Sequence, residues 1–193
     1  MSKPKYLFLD LETTGLDQHR NRILECAAVV TDSNLEVIGK PFEMVCNYDI
    51  DRGYAPDGFV QDMHEKNGLW EDCRKTSFTV VDLSNNLYDF IKQVPEWEDK
   101  KPILAGATVH FDRRFLKRWC ENAEKLLGHR HLDTSSLKMI MVDVFGKPFE
   151  KGNAHRAMAD VEESLAQARE IYASLRERSP AQSEMDDYLG RFK

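Results

Sequence analysis

Two acidic residues, Asp10 and Glu12, follow the apolar residues 6–9 without a break near the start of the chain. Side chains two positions apart on a β-strand point to the same face, so both carboxylates are expected on one side of a sheet. Two carboxylates at this spacing repel each other and take up protons unless a cation lies between them. The pattern therefore indicates a metal site at the end of a strand.

An Asp-x-Glu pair also occurs by chance in turns and at strand ends, where it has no metal-binding role. The residues that follow favour the metal site, because Gly15 permits a sharp turn directly after the strand. Open α/β sheets bind their ligands at the carboxyl ends of strands. We therefore expect Asp10 and Glu12 to lie at the ligand-binding edge of a sheet.

Two further segments place acidic residues beside basic ones: FDRRFL contains Asp112, and HRAMAD contains His155 and Asp160. Together with DLETTGL near the N-terminus, they resemble, in the same order, the three exonuclease motifs of the DEDDh superfamily. The segments VTDSNLEVIG and RHLDTSSLK are similar to stretches of the oligoribonuclease family, and the resemblance covers about residues 6–175. It implies a mixed α/β fold of the ribonuclease H-like type, with a central sheet flanked by helices.

The resemblance also implies chemical roles for the motif residues. The expected metal ligands are the four carboxylates Asp10, Glu12, Asp112 and Asp160. They would hold two divalent cations, Mg²⁺ or Mn²⁺, because ligand sets made only of oxygen favour these ions over Zn²⁺. His155 is the expected general base, which removes a proton from the attacking water. The implied reaction is hydrolysis of a phosphodiester at a 3′ end, which releases 5′-mononucleotides.

The expected substrate is short single-stranded RNA, with DNA as the alternative. Leu16 matches the family's base-wedging leucine, and His64 occupies the place of a substrate-contacting histidine. Thr13 and Arg113 are further predicted substrate contacts. Thr13 stands where oligoribonucleases usually have methionine, and DLETTGL is also the form seen in proofreading subunits of DNA polymerases. A DNA-directed exonuclease therefore remains an alternative, whereas a non-catalytic binding module is disfavoured because all five catalytic positions are filled.

The net charge of −6 argues against a protein that coats long nucleic acids through phosphate neutralisation. It is compatible with a nuclease, because the bound cations would reverse the sign of the local field at the acidic site. Arg113 begins a basic cluster that continues with Arg114, Lys117 and Arg118 at helical spacing. A solvated helix face is an equally good interpretation of Lys117 and Arg118.

Hydrophobic periodicity predicts the order of the elements. Residues 6–10, 23–31 and 41–47 are predicted strands of an antiparallel meander. Helices are predicted at residues 57–66, 112–126 and 135–144, with a strand at residues 102–107. Another helix is expected behind the capping pattern Thr79-x-x-Asp82 and before Pro95.

The spacing of His155 and Asp160 excludes a shared helix face, because five residues rotate by roughly 500° and leave the side chains about 140° apart. His155 is therefore predicted in a loop opened by residues 151–153, with Asp160 early in the following helix. The predicted buried stripe of that helix consists of Met158, Val161, Leu165, Ala168, Tyr172 and Leu175.

A chain of 193 residues is long enough for one domain with a substantial core. We expect an exonuclease domain at residues 1–178 and a tail, either flexible or docked on a partner, at residues 179–193. No membrane span or targeting peptide is expected, which predicts a cytoplasmic protein. The four cysteines have no metal-binding spacing and are expected to be reduced thiols. The resemblance implies a homodimer, with Trp119, Leu126 and Leu127 as candidate apolar contacts.

Overall fold

The computed structural model describes residues 2–48, 58–150, 152 and 154–177. The strands of this part of the chain are β1 Tyr6–Thr13, β2 Ile23–Thr31, β3 Phe42–Val45, β4 Ile103–Gly106 and β5 His131–Asp133. They form one mixed sheet in the order β3-β2-β1-β4-β5, in which β4 and β5 run parallel to β1. The predicted antiparallel meander of β1, β2 and β3 is confirmed. The sequence pattern does not reveal β5, which has three residues and no apolar run.

The helices of the described residues are α1 Gly58–Lys66, α2 Leu69–Lys75, α3 Val80–Gln93, α4 Val109–Trp119, α5 Glu121–Glu124, α6 Thr134–Phe145 and α7 Ala157–Glu177. Helix α3 begins at the predicted Thr79 cap, where Thr79 and Asp82 form a reciprocal capping box. The single helix predicted at residues 112–126 is wrong. Helix α4 starts three residues earlier, at Val109, and Cys120 leaves the helical conformation between α4 and α5.

The two faces of β1 pack against different layers, because successive side chains of a strand point to opposite sides. Leu7, Leu9 and Leu11 belong to one buried cluster, which includes apolar residues of α3, α4 and α5. Tyr6 and Phe8 belong to a second cluster, which includes apolar residues of α7. Asp10 and Glu12 lie on the same face of β1 as Tyr6 and Phe8. The strand periodicity therefore points both carboxylates towards α7.

Helix α7 lies on the sheet through most of the predicted stripe, since Val161, Leu165 and Ala168 are buried. The prediction is wrong for the last residue of the stripe, because Leu175 is 42% exposed. Ile171, which was not predicted, is fully buried. Residues 179–193, the predicted tail, lie outside the described residues. In the part of the chain that the structure describes, no helix is both long and apolar enough to cross a membrane.

Candidate active site

The loop between β1 and β2 begins with a turn that only glycine permits. Gly15 has a φ of 152°, and a Cβ added there would lie 2.8 Å from Nδ2 of Asn21. The Asn21 side chain closes the loop: its Oδ1 accepts a hydrogen bond from the backbone N–H of Asp17, and its Nδ2 donates to the carbonyl of Thr14. Leu16, between these contacts, has 75% of its surface exposed. The loop is thus fixed by its own hydrogen bonds while Leu16 faces solvent.

Three carboxylates meet where β1 faces the start of α7. Asp10 and Glu12 come from the strand, and Asp160 comes from the first turn of the helix. One carboxylate oxygen from each residue lies within 4.8 Å of the others. A group of three carboxylate oxygens suits a hard divalent cation such as Mg²⁺ or Mn²⁺. The donor set therefore fits the metal that the sequence predicts, and these three predicted site residues are brought together.

Without a cation, burial and mutual repulsion favour the protonated forms of these carboxyls. Burial, with the charges of Asp160 and Glu25, raises the pKa of Asp10 to about 8. Burial, with the charges of Asp10 and Asp160, raises the pKa of Glu12 to about 9. Burial also raises the pKa of Asp160. A divalent cation would favour the charged forms, so metal and protons compete for the same oxygens.

The raised pKa values predict how the stability of the metal-free protein depends on pH. A carboxyl whose pKa is higher in the folded state binds more protons when folded, so stability is lost as pH rises from the unfolded pKa through the folded one. The melting temperature in EDTA should therefore fall between about pH 4 and pH 9. Glu12→Gln should flatten this slope, and Mg²⁺ should remove most of it. An identical dependence of melting temperature on pH in wild type and Glu12→Gln would contradict the raised pKa assigned to Glu12.

Asp112 lies near this group but is not part of it. Its side chain is buried in the first turn of α4, and its Oδ1 accepts a hydrogen bond of 3.1 Å from the backbone N–H of Leu11. Burial first, and then the charge of Asp10, raises the pKa of Asp112 well above its usual range. Asp112 thus contacts the strand between Asp10 and Glu12, and its predicted role as a metal ligand stays a prediction.

Glu25, which no sequence motif identifies, supports the start of α7. It is directly opposite Glu12 in the β1–β2 register and is completely buried. Like charges opposite each other destabilise a sheet, so Glu25 requires a counter-charge. Arg156 supplies it: Nη2 lies 2.8 Å from Oε1 of Glu25, and Nε lies 3.2 Å from both carboxylate oxygens. The backbone N–H of Ala157 donates to Oε2 of the same carboxylate at 2.8 Å.

His155 precedes Arg156, and its backbone has a φ of 46°, in the left-handed region that non-glycine residues seldom adopt. The Asn67 side chain donates a hydrogen bond to the carbonyl of His155. Arg156 also forms an ion pair of 3.0 Å with Asp72. Contacts from β2 and from the α1–α2 region therefore hold the backbone of His155 in this conformation. His155 lies before α7, as predicted.

Three predicted substrate contacts have other partners in the structure. His64 is fully buried; its Nε2 lies 3.3 Å from the carbonyl of Thr13 and 3.6 Å from Oε2 of Glu12. The Thr13 hydroxyl donates to the carbonyl of Gly15 at 2.7 Å. Arg113 binds Glu124, the carbonyl of Gly128 and the ring of His131. Through these contacts, His64 and Thr13 support the end of β1 and Arg113 joins α4 to its neighbours, and the substrate contacts predicted for all three stay predictions.

A cleft of about 560 Å³ opens beside the three carboxylates. Asp10, Asp160 and His155 line it together, and α6 and the β4–α4 connection form much of the remaining wall. Further polar lining residues are Thr108, Ser135, Lys138, Asp143, Glu150, Glu163, Ser164 and Gln167. Apolar lining comes from Met139, Val142 and Phe149. The cleft thus offers both polar and apolar surfaces next to the candidate metal site.

The family model for exonucleases matches residues 7–168. The chain belongs to the exonuclease family. It is 35% identical over 165 residues to an oligoribonuclease of Corynebacterium glutamicum, covering 83% of this chain and 75% of the relative. It is 34% identical over 170 residues to an oligoribonuclease of Rhodococcus jostii, covering 86% and 84%. These relatives confirm the predicted resemblance to the oligoribonucleases.

Solved structures of exonuclease I have the same fold. The zinc-bound E. coli exonuclease I complex with single-stranded DNA aligns with a TM-score of 0.69 and 20% identity over 99% of this chain. Exonuclease I of Methylocaldum szegediense aligns with a TM-score of 0.67 and 21% identity over 91% of this chain. The chain spans only 43% and 41% of those two proteins. The likeness confirms the ribonuclease H-like fold.

Proposed function

We propose that this exonuclease-family chain hydrolyses short single-stranded oligoribonucleotides from the 3′ end to 5′-mononucleotides with the help of two divalent cations. The observation that supports this most directly is the meeting of Asp10, Glu12 and Asp160 beside a cleft that Asp10, Asp160 and His155 line. The relatives named oligoribonuclease support RNA as the substrate. We assign the exonuclease activity to residues 1–178.

In the proposed mechanism, Asp10, Glu12 and Asp160 would hold one cation, and Asp10 and Asp112 would hold the second, with Asp112 acting through water. Bound cations of this kind lower the pKa of the attacking water and stabilise charge on the leaving 3′ oxygen. His155 accepts the proton of the attacking water at a ring nitrogen. Its backbone is fixed by Asn67 and by the Arg156–Glu25 pair, which keeps the residue at the wall of the cleft.

Digestion of matched 5′-labelled RNA and DNA strands of two to twenty nucleotides tests this function. We expect stepwise loss of 3′ nucleotides, faster on RNA than on DNA, and only with Mg²⁺ or Mn²⁺ present. Higher catalytic efficiency on DNA would favour the DNA-directed alternative. Internal cleavage, or cleavage at the 5′ end, would contradict the proposed reaction.

Leu16 is proposed to insert between the last two bases, and its exposure separates this role from one in the core. A buried leucine changed to alanine costs about 2 to 5 kcal/mol of stability. Leu16 is 75% exposed, so Leu16→Ala should change the unfolding free energy by less than about 0.5 kcal/mol. It should slow dinucleotide cleavage while leaving the Mg²⁺ affinity unchanged. Steady-state kinetics and thermal melting check both parts; normal cleavage by the variant would contradict the role.

We also propose a homodimer that acts in the cytoplasm. Of the apolar contacts expected from the sequence, Leu127 is buried within the subunit, and Leu126 and Trp119 are partly buried against its core. Met139, Ile140 and Val144 of α6 are more exposed and supply an alternative apolar surface. Light scattering at micromolar concentration should give twice the monomer mass, and an active monomer would contradict the dimer. The four cysteines are free and buried, which suits a reducing compartment.

A further inference from the structure

A hydrogen bond connects the C-terminal end of α4 to the loop that contains Leu16. The indole N–H of Trp119, the last residue of α4, donates a hydrogen bond of 3.1 Å to the backbone carbonyl of Gln18. Gln18 is only two positions beyond Leu16, and Leu16 follows the strand that bears Asp10 and Glu12. Side chains around Trp119 therefore lie next to the loop that contains Leu16.

Two arginines lie over the Trp119 ring in cation–π contacts. The guanidinium carbon of Arg22 and that of Arg118 each lie 4.3 Å from the ring centre. The contacts bring together a loop residue and a helix residue that are far apart in the sequence. We call Arg22, Arg118 and Trp119 the Trp119 patch. Both arginines are exposed, and the ring is partly buried.

The contact with the ring restrains both arginines and leaves the N–H donors of their guanidinium groups available. A guanidinium that lies on an aromatic face keeps its N–H groups in its own plane, where they can bind a phosphate at two points. Arg22 uses one nitrogen, Nη1, which donates to the carbonyls of Arg20 at 3.3 Å and Asn21 at 3.5 Å. Among residues 2–48, 58–150, 152 and 154–177, no carboxylate oxygen lies within 4.0 Å of Arg22 or Arg118. Their charges are therefore available to an external anion.

Neighbouring residues keep this surface positive although the whole chain has a net charge of −6. The exposed Arg114 lies 5.7 Å over the ring of Phe111, one turn before Arg118 on α4. Lys117 is exposed on the same helix. Two acidic residues close in sequence to the patch are in use: Glu121, two positions after Trp119, pairs with Lys125 at 2.7 Å, and Asp17 caps the backbone N–H of His19. Rings combined with arginines are typical of surfaces that bind single-stranded nucleic acid.

We propose that the Trp119 patch binds backbone phosphates of a single-stranded polynucleotide that extends beyond the active-site cleft. The patch increases affinity for longer strands, and it is not needed for cleavage of a dinucleotide bound at the carboxylates. The proposal rests on the proposed nuclease function, because it takes the same strand as ligand. Binding is measured separately from cleavage, so the phosphate-binding proposal and the proposed nuclease function can fail independently.

The test is the double variant Arg22→Gln/Arg118→Gln, compared with wild type and with Lys3→Gln/Lys75→Gln. The control removes the same charge from exposed lysines that pair with Glu96 and Glu71, outside the patch. Binding of labelled 20-nucleotide RNA and DNA is measured in EDTA from about 50 to 300 mM salt, a range over which phosphate contacts alter affinity strongly. Cleavage of a diribonucleotide is measured with Mg²⁺. Thermal melting verifies that each variant is folded.

The arginine variant should bind both 20-nucleotide strands roughly tenfold more weakly, and its salt slope should decrease by about 1.4, as expected when two phosphates of a single strand are no longer neutralised. Diribonucleotide cleavage should be unchanged. Binding equal to that of the lysine control would overturn the proposal and leave the patch as a solvated surface. Loss on RNA alone would also overturn it, because phosphates are common to both strands. An equal loss in diribonucleotide cleavage would place the arginines in the active site itself and overturn it as well.

Discussion

Asp10→Asn, Glu12→Gln and Asp160→Asn are each expected to abolish Mg²⁺-dependent hydrolysis in a protein that remains folded. Each change keeps the shape of the side chain but removes a charged oxygen from a group whose atoms lie within 4.8 Å of one another. Loss of the charge weakens the binding of a cation that is held only by oxygen ligands. Activity with strands of two to five nucleotides and Mg²⁺ affinity by calorimetry measure the two effects.

The same variants should not destabilise the metal-free protein. Burial and repulsion raise the pKa values of Asp10 and Glu12 to about 8 and about 9, so the charged forms are unfavourable in the fold. Removing one titratable carboxyl relieves this penalty, and the melting temperature in EDTA at pH 8 should hold or rise. Glu162→Gln is the matched control, because Glu162 is exposed on α7 two residues from Asp160. A site variant with normal turnover would remove that residue from the proposed metal site.

Asp10 and Glu12 were predictable from sequence because strand periodicity fixes the face to which they point. The structure shows that this face is the one covered by α7, where the helical pattern around Val161 and Leu165 is equally regular. The position of His155 outside the helix followed from its five-residue separation from Asp160, which the geometry of a helix makes decisive. Local periodicity therefore placed these residues within their elements, whereas the grouping of His155 and Asp160 with Asp10 and Glu12 was implied by the resemblance to the DEDDh motifs.

The supporting contacts were not predictable, because they join residues far apart in the chain. The Arg156–Glu25 pair spans 131 positions, and the contact from Asn67 to His155 spans 88. One signal was nevertheless present. Glu25 interrupts an apolar strand, and a charged residue at a fully buried strand position requires a partner. The identity of that partner depends on the packing of α7, which no local pattern specifies.

His155→Ala is expected to lower kcat by about 10² to 10⁴, the usual contribution of a general base, while Mg²⁺ affinity stays close to that of wild type. His155 lines the cleft with Asp10 and Asp160 but is not one of the three grouped oxygen donors. Removing the ring therefore leaves the proposed metal ligands in place. Single-turnover kinetics at saturating Mg²⁺, together with calorimetry, distinguish loss of a base from loss of metal. Much weaker Mg²⁺ binding by His155→Ala would make the base assignment wrong.

If the ring of His155 is the base, the Arg156–Glu25 pair should affect the rate through it. Arg156→Lys keeps the charge but loses the guanidinium that contacts both carboxylate oxygens of Glu25. Because the pair fixes the backbone next to His155, this variant should lower kcat more than it raises KM. Lys147→Gln is the matched control, because it removes the ion pair between Lys147 and Glu170 of α7.

A double-mutant cycle decides whether Arg156 acts through His155 or through the fold as a whole. In a His155→Ala background there is no ring left to orient, so Arg156→Lys should have little further effect on kcat. Equal losses from Arg156→Lys in both backgrounds would show that the arginine supports Asp160 or general stability instead. Melting temperatures of all four proteins separate these outcomes from a simple loss of folded protein. Non-additive rates with additive melting temperatures are the result that identifies Arg156 as a positioning residue for the base.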